Sequence, residues 1–549
     1  MSGFQRDAIG EFHFVRCAFD ADSGVARLVY AFDAGDELTE TVTIPGAPFA
    51  LDHERAAQVE RALRLLHLIA GVSYYKAAVP PRIVIDGYAI DADTARLLES
   101  IYENGLGEFA YRNGLDLRGR IAFPALLRAP SGRWVEDEGL DSIDTSPAGA
   151  PPPQPSPAGG GGSVCLLPPL TPGEESRAGS TSAHDTECPP AVAVDRVGRD
   201  WGARSAASLP TEIKRARTGL LPPLAGEGWD GGKHKALVAI GGGKDSLVSI
   251  ESLRAMGVDQ TVAWIGSSPL IAACAARTGL PTLNIQRQLA SALFEYNRHG
   301  AYNGHIPVTA INSAILVLAA VLRGFDQVVF SNERSASYGS QILGDDGRVL
   351  AQVNHQWSKG WAFERDFGAH VHAHIADDVH YYSLLRPLSE LAVARQFARS
   401  DRYDAHFSSC NRNFHILGER PANRWCGQCP KCHFVFLALA PFVPKPRLVG
   451  IFGRNLLDES ALAPGFDALI EYRDHKPFEC VGEGREARAA FAALAQRPAW
   501  REDALVKRFV REIAAQLHDV PPLDALLAPQ GEQRIPEALW ERLDAYWRT

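Results

Sequence analysis

The run Ala236-Leu237-Val238-Ala239-Ile240-Gly241-Gly242-Gly243-Lys244-Asp245-Ser246 decides how this chain is read. Its first five residues are a short apolar stretch suited to a buried parallel strand, and residues 247–256 carry apolar side chains at helical spacing. A Gly-rich turn between strand and helix aims backbone N–H groups and a helix N-terminus at one point, which makes it an anion site. It is not a Walker A loop, because Lys244 follows three glycines and precedes Asp245. It is not G-x-G-x-x-G either. Downstream, apolar strands at 261–265, 282–285 and 327–330 alternate with helices at 270–278 and 312–322. That alternation predicts an α/β region over 233–400 with a doubly wound parallel sheet. Such sheets bind ligands at the carboxyl ends of their strands. Three loops fall there, at 241–246, 266–268 and 331–335.

The first loop resembles the S-G-G-x-D-S turn of the PP-loop ATP pyrophosphatases, with Gly241 in place of the first Ser. The resemblance implies an adenine nucleotide alpha hydrolase-like sheet that splits ATP into AMP and diphosphate, by adenylating a carbonyl or carboxylate oxygen. Gly241, Gly242, Gly243, Lys244, Asp245 and Ser246 would then hold the pyrophosphate, with Asp245 on the Mg²⁺ that offsets its charge. The missing Ser removes one hydroxyl contact. Loop 266–268 would lie near the adenosine, and Ser331, Asn332 and Glu333 would complete the nucleotide site. Glu333 suits a metal or a substrate amine and Arg334 an anionic substrate; the bland reading of both is a surface ion pair.

The chain has 549 residues, a formal charge of -9 and a pI near 6.0. The length allows two or three domains, and the acidic balance argues against a nucleic-acid partner. The N-terminus lacks a signal-peptide core, and the longest apolar run, 314–322, is too short to cross a bilayer. Nine cysteines, an odd number clustered late, do not form a secreted disulfide framework. A cytoplasmic protein is expected.

Residues 11–45 alternate apolar and polar side chains around two Asp/Gly breaks, as a three-stranded antiparallel meander does. A helix at 54–68, a strand at 83–85 and a helix at 93–111 complete an α+β N-terminal domain, 1–128. Between helix and strand, Tyr74-Tyr75-Lys76 reads as an anion contact or as a Tyr pair packed on the sheet. Residues 129–232 hold Pro- and Gly-rich runs that cannot offset ordering entropy, so a disordered insertion is expected, with Cys165 and Cys188 as bystanders. Residues 466–549 read as a helical C-terminal region.

Several residue types carry chemistry. His305, in the Gly/Pro-bounded loop 303–307, suits acid–base work or a structural role. His370, His372 and His374 alternate, which predicts one face of a strand. Loop 354–360 is polar and aromatic, has the look of a substrate contact and contains Lys359. Cys410 with Cys426, Cys429 and Cys432 supplies the four thiolates of a structural Zn²⁺ site in a segment spanning 401–465, with His433 as a substitute ligand. An iron–sulfur cluster or a redox pair competes; zinc is favoured because no fourth Cys completes the local run. Cys480, just ahead of a helix beginning near 486, suits a thiolate base or a buried small hydrophobe.

Taken together, the segment 71–76, the loop 242–246, the knuckle 426–432 and the loop 476–482 resemble the UDP-N-acetyl-α-D-muramoyl-L-alanyl-L-glutamate epimerases of peptidoglycan synthesis. The resemblance covers 11–128 and 233–500 and omits 129–232, which would be peculiar to this chain. It implies inversion of the terminal L-Glu of a UDP-MurNAc-dipeptide through an acyl-adenylate. His305 and Cys480 are the expected proton-transfer groups, with Lys359 third. The alternatives are a PP-loop tRNA thiolase or nitrile synthetase relative, and an inactive nucleotide-binding regulator.

Overall fold

The computed structural model describes residues 4–33, 35–128, 134–136, 234–343, 349–414, 421, 423–472 and 476–549. The expected insertion at 129–232, with Cys165 and Cys188, lies outside the described residues apart from a three-residue strand at Trp134–Glu136. The strands of the main sheet are β1 (Glu11–Asp20), β2 (Val25–Phe32), β3 (Leu38–Thr43), β4 (Arg82–Ile85), β5 (Lys235–Ala239), β6 (Asp259–Ile265), β7 (Thr282–Gln288), β8 (Gln327–Phe330) and β9 (His380–Ser383). They form one sheet in the order β9-β8-β5-β6-β7-β3-β2-β1-β4.

From β9 to β7 every neighbour is parallel, which is the α/β part read from the alternation of strands and helices. From β7 to β1 the pairs are antiparallel, and β4 returns parallel to β1. The meander therefore continues the α/β sheet. Thr41, Val42 and Thr43 of β3 pair with Gln288, Arg287 and Gln286 of β7. At this seam Arg287 Nε donates to Glu40 Oε1 at 2.6 Å and its Nη2 to Ser73 Oγ at 3.0 Å, and Glu40 is wholly buried. A paired guanidinium and carboxylate is how two charges survive without water. The division drawn in the sequence at residue 128 thus falls within one sheet and one compact unit.

Both faces of the parallel part are covered. Ala236, Val238 and Ile240 enter one core, while Leu237 enters the other, as the two-residue period of a strand requires. The first core takes α1 (Lys244–Ala255), α2 (Pro269–Thr278) and the C-terminal helices, including α3 (Glu390–Ala398), α4 (Pro430–Leu439) and α5 (Gly484–Ala495). The second takes the long helices His53–Ala70 and Val308–Arg323. Ala314–Leu322, the longest apolar run, is buried here, and no helix among the described residues is long and apolar enough to cross a membrane.

Two expectations are corrected. The helix read over 93–111 is two helices, Ala92–Gly105 and Gly107–Asn113, broken at Leu106. A Cβ on Gly105 would lie 2.7 Å from the Pro307 ring, so glycine here lets loop 303–307 close on the helix end. The three alternating histidines are not on a strand. His370 ends the helix Trp361–His370, and His372 and His374 sit in the single wide turn Val371–Ile375 that follows. Val371 and Ile375, four apart, are the buried positions, so a helical period prevails over the two-residue alternation of the histidines. His370 and His374 stack at 4.4 Å, and His374 Nδ1 lies 3.2 Å from Asp91.

Candidate active site

A cavity of about 540 Å³ opens at the carboxyl ends of β5, β6 and β8. Gly241, Gly243, Asp245 and Ser246 line it from the first loop, and Ser331 and Asn332 from the third. His305, His355, Gln356, Lys359 and Cys480 close the opposite side. Chain positions up to 239 residues apart in number, from Gly241 to Cys480, meet here, as the carboxyl-end rule for open sheets requires.

The first loop is built to take an anion. Gly243 is the N-cap of the twelve-residue α1 and has no side chain to cap it, so the first N–H groups of the helix keep their capacity for a ligand. A Cβ on Gly243 would stand 2.7 Å from Ser409 Oγ, and around Gly241 a Cβ would meet nothing within 4 Å. Ser246 Oγ donates to the Gly243 carbonyl at 3.2 Å and accepts from Gly241 N–H at 3.4 Å, which fixes the turn from inside. This arrangement could hold an anion such as a phosphate, and Asp245 lines the cavity beside it.

Two members of the loop do not face the cavity. Gly242, at φ +78°, turns its carbonyl to the Ser408 N–H at 2.9 Å. Lys244 is buried and ion-paired to Asp245 at 2.5 Å and to Glu390. Burial works against its charge, but the two carboxylates outweigh that and hold it protonated. Its role is to neutralise Glu390 from α3, a residue that carries no local signal in the sequence. Loop 266–268 contributes no lining residue; the wall beneath it comes from Ala263, Trp264 and Ile265, and Ser268 caps α2 instead.

Lys359 and Cys480 meet at 3.2 Å, Nζ to Sγ. The neighbouring thiol is the main influence that raises the pKa of Lys359, against its burial. Arg386 fixes the loops on either side: it donates to the carbonyl of Glu333 at 2.8 Å and to that of Lys359 at 2.5 Å. Glu333 is buried behind this pair in a small chamber shared with Lys244, Glu390 and Cys480, and burial with nearby Glu486 pushes its carboxyl up. Arg334 points elsewhere, to a separate cleft with Arg485 and Arg488. Tyr74 and Tyr75 are core residues, and Lys76 donates to Asn303 Oδ1 at 3.0 Å, so the packing reading of that segment holds.

Glu486 also lies outside the residues singled out in the sequence. It forms the capping box of α5, accepting the Glu483 N–H at 2.9 Å. Burial, reinforced by the carboxylates of Glu483 and Glu390, pushes it up to about 7 from an ordinary 4.5. A raised acid gives stability that is full below its unfolded value and lost as pH rises through the folded one. The protein should therefore lose stability as pH rises from 4.5 to about 7. Glu486→Gln, which keeps an acceptor for the cap, should flatten that slope; a parallel slope in thermal unfolding across the same window would refute the assignment.

Behind the cavity, Cys410, Cys426, Cys429 and Cys432 bring their sulfurs together, with Cys429 4.0 Å from Cys410 and 3.5 Å from Cys432, and Cys426 3.7 Å from Cys432. Four thiolates about 2.3 Å from one tetrahedral ion stand about 3.8 Å apart, so the set fits zinc. His433 stacks on Phe466 at 4.8 Å and is outside the cluster. His475 lies outside the described residues.

A third cluster joins His305, His355 and Glu108. His355 Nδ1 is hydrogen-bonded to Glu108 Oε2, and the His305 and His355 rings are 4.1 Å apart. Burial, then His355, lowers the pKa of His305 to about 4. Glu108 carries no local signal in the sequence; it is buried, and it pairs with His355 and with Arg112 of its own helix.

The sequence also matches known proteins. A family model described as the MurL N-terminal domain matches residues 3–147 and 211–384, and one described as the MurL C-terminal domain matches 406–521. A protein of Xanthomonas oryzae pv. oryzae named UDP-N-acetyl-alpha-D-muramoyl-L-alanyl-L-glutamate epimerase is 57% identical over 547 residues, 99% of either chain. Proteins of the same name from Salinispora tropica and a Micromonospora species are each 35% identical over 528 residues, 96% of this chain and 93% and 96% of theirs. The Xanthomonas alignment runs through 129–232, so that stretch is not peculiar to this chain.

Proposed function

The chain belongs to the MurL family of epimerases, and on that footing we propose that it inverts the terminal L-Glu of UDP-N-acetyl-α-D-muramoyl-L-alanyl-L-glutamate, in the cytoplasm and at the expense of ATP. The observation that carries this reading is the single cavity that holds both an anion-binding turn, 241–246, and the Lys359–Cys480 pair. An epimerase that needs only a base has no use for the first; a simple ATP pyrophosphatase has none for the second.

The need for ATP follows from charge. Removing the α-proton beside an ionised carboxylate would place a second negative charge next to the first. ATP with Mg²⁺ supplies an adenylyl group that neutralises the α-carboxylate, with diphosphate released and AMP set free when water later cleaves the mixed anhydride. The backbone N–H groups of the Gly243 turn and Ser246 hold the phosphates, and Asp245 holds the cation. Ser331 and Asn332 border the same space.

Cys480 then takes the α-proton as a thiolate whose charge Lys359 balances. For the ammonium to protonate the other face, the 3.2 Å Sγ–Nζ contact must open to admit the α-carbon; the thiol and amine left afterwards return to thiolate and ammonium by proton exchange with solvent. Donors around the cavity hold the enolate oxygen, where fixed dipoles count most. The four cysteines hold a structural Zn²⁺ that pins α4 and does no chemistry.

The test is to incubate the UDP-muramoyl dipeptide ending in L-Glu with ATP and Mg²⁺ in deuterated water. AMP, D-Glu and deuterium at its α-carbon are expected together. D-Glu without AMP would refute the activated-acyl mechanism, and neither AMP nor deuterium would refute the epimerase reading.

A further inference from the structure

We propose that Glu108, His305 and His355 form a second metal site, for a divalent transition-metal ion, in the wall of the active-site cavity. One ligand atom from each of the three lies within 4.8 Å of the others. They come from three separate elements: the short helix Gly107–Asn113, loop 303–307 and loop 354–356.

The convergence is held from outside the cluster. Pro307 closes on Gly105, where any side chain would clash. Asn113 Nδ2 donates to the Asn303 carbonyl at 3.2 Å, on the other flank of His305. Gly304, at φ +156°, lets the same loop pass over Phe109. Arg112 Nε donates to Glu108 Oε1 at 2.5 Å, which orients the carboxylate and leaves Oε2 toward the imidazoles. Outer partners of this kind are how ligand geometry is fixed around metals.

The arrangement does not suit a proton relay. A relay from Glu108 through His355 to His305 needs a hydrogen bond between the rings. The ring centroids instead lie 4.1 Å apart with the planes tilted by 39°, and no ring-to-ring hydrogen bond joins them among the described residues. Two nitrogens and one carboxylate oxygen suit Zn²⁺, Mn²⁺, Fe²⁺ or Co²⁺ better than Mg²⁺ or Ca²⁺, which prefer oxygen sets. Three protein ligands also leave positions open, and His305 and His355 face the cavity. The ion would keep net positive charge and so take an anionic oxygen from the cavity. His305, expected from the sequence as a proton-transfer group, thereby becomes a ligand.

The test counts metal and does not depend on turnover. Full-length protein is equilibrated by dialysis against micromolar Zn²⁺, and bound zinc per chain is measured by mass spectrometry. His355→Asn and Glu108→Gln should each hold one ion per chain fewer than the unmodified protein, whatever the cysteine cluster holds. Equal counts would overturn the proposal. Because a variant can lose metal by unfolding, the unmodified protein is also examined by zinc X-ray absorption. A mixed sulfur and nitrogen/oxygen shell is expected, and a sulfur-only shell would overturn the proposal as surely.

Discussion

Replacing Cys480 by alanine is expected to lower the rate of glutamate inversion by about 10³-fold, the middle of the range for a positioned acid–base group, while AMP release continues. The two readouts separate because the two halves of the site are separate in the chain. The anion turn is made by residues 241–246 and stabilised from within by Ser246 and from behind by Ser408, and among the described residues none of these is hydrogen-bonded to Cys480. Without the thiol, an adenylated substrate would meet water before losing its proton, so ATP would be consumed and L-Glu returned with no deuterium. Lys359→Met should be similar in rate, but it also leaves the half-buried Cys480 thiol without its 3.2 Å partner. Chiral analysis of the glutamate beside an AMP assay decides the matter. Inversion by Cys480→Ala within tenfold of the unmodified enzyme would exclude the thiol as proton acceptor.

The parts of this site that could be read ahead of the structure are those with local signatures. The strand–Gly–helix sequence at 236–246 announces a loop at a strand's carboxyl end whatever surrounds it, and β5 and α1 lie there. Three cysteines with two C-x₂-C spacings constrain one another within seven residues, and their sulfurs converge with that of Cys410. Lys359 and Cys480 were visible only as separate loop residues. Their contact spans 121 positions and depends on Arg386 drawing the Lys359 loop against the end of β8. Glu108, Glu390 and Glu486 sit on ordinary helices, and what makes them unusual is burial by distant segments, which no local pattern encodes. The histidines at 370–374 misled for the opposite reason: a conspicuous alternation of polar residues hid Val371 and Ile375, whose spacing of four sets the helical turn. The continuity of the sheet was hidden likewise, since the β3–β7 pairing joins stretches on either side of residues 129–232.

Arg386 offers a way to measure how far the site depends on that distant ordering. The side chain is 2% exposed, and its Nε and Nη2 both donate to Glu364 Oε2, at 2.9 and 2.8 Å, while Glu364 Oε1 accepts the Ser383 N–H at 3.1 Å. Arg386→Ala leaves the Glu364 carboxylate buried without its partner, a defect that costs about 3–5 kcal/mol. A drop of that size in resistance to urea is expected, together with slower inversion, because the carbonyls of Glu333 and Lys359 lose their common donor. These two effects have different origins, and the double variant Arg386→Met with Glu364→Gln separates them. An apolar chain beside a neutral amide removes the unpaired charge, so most of the lost stability should return. The rate should not, since methionine has no fork to span two carbonyls. Recovery of both would mean that Arg386 serves the fold alone, and that Lys359 reaches Cys480 without help from the end of β8.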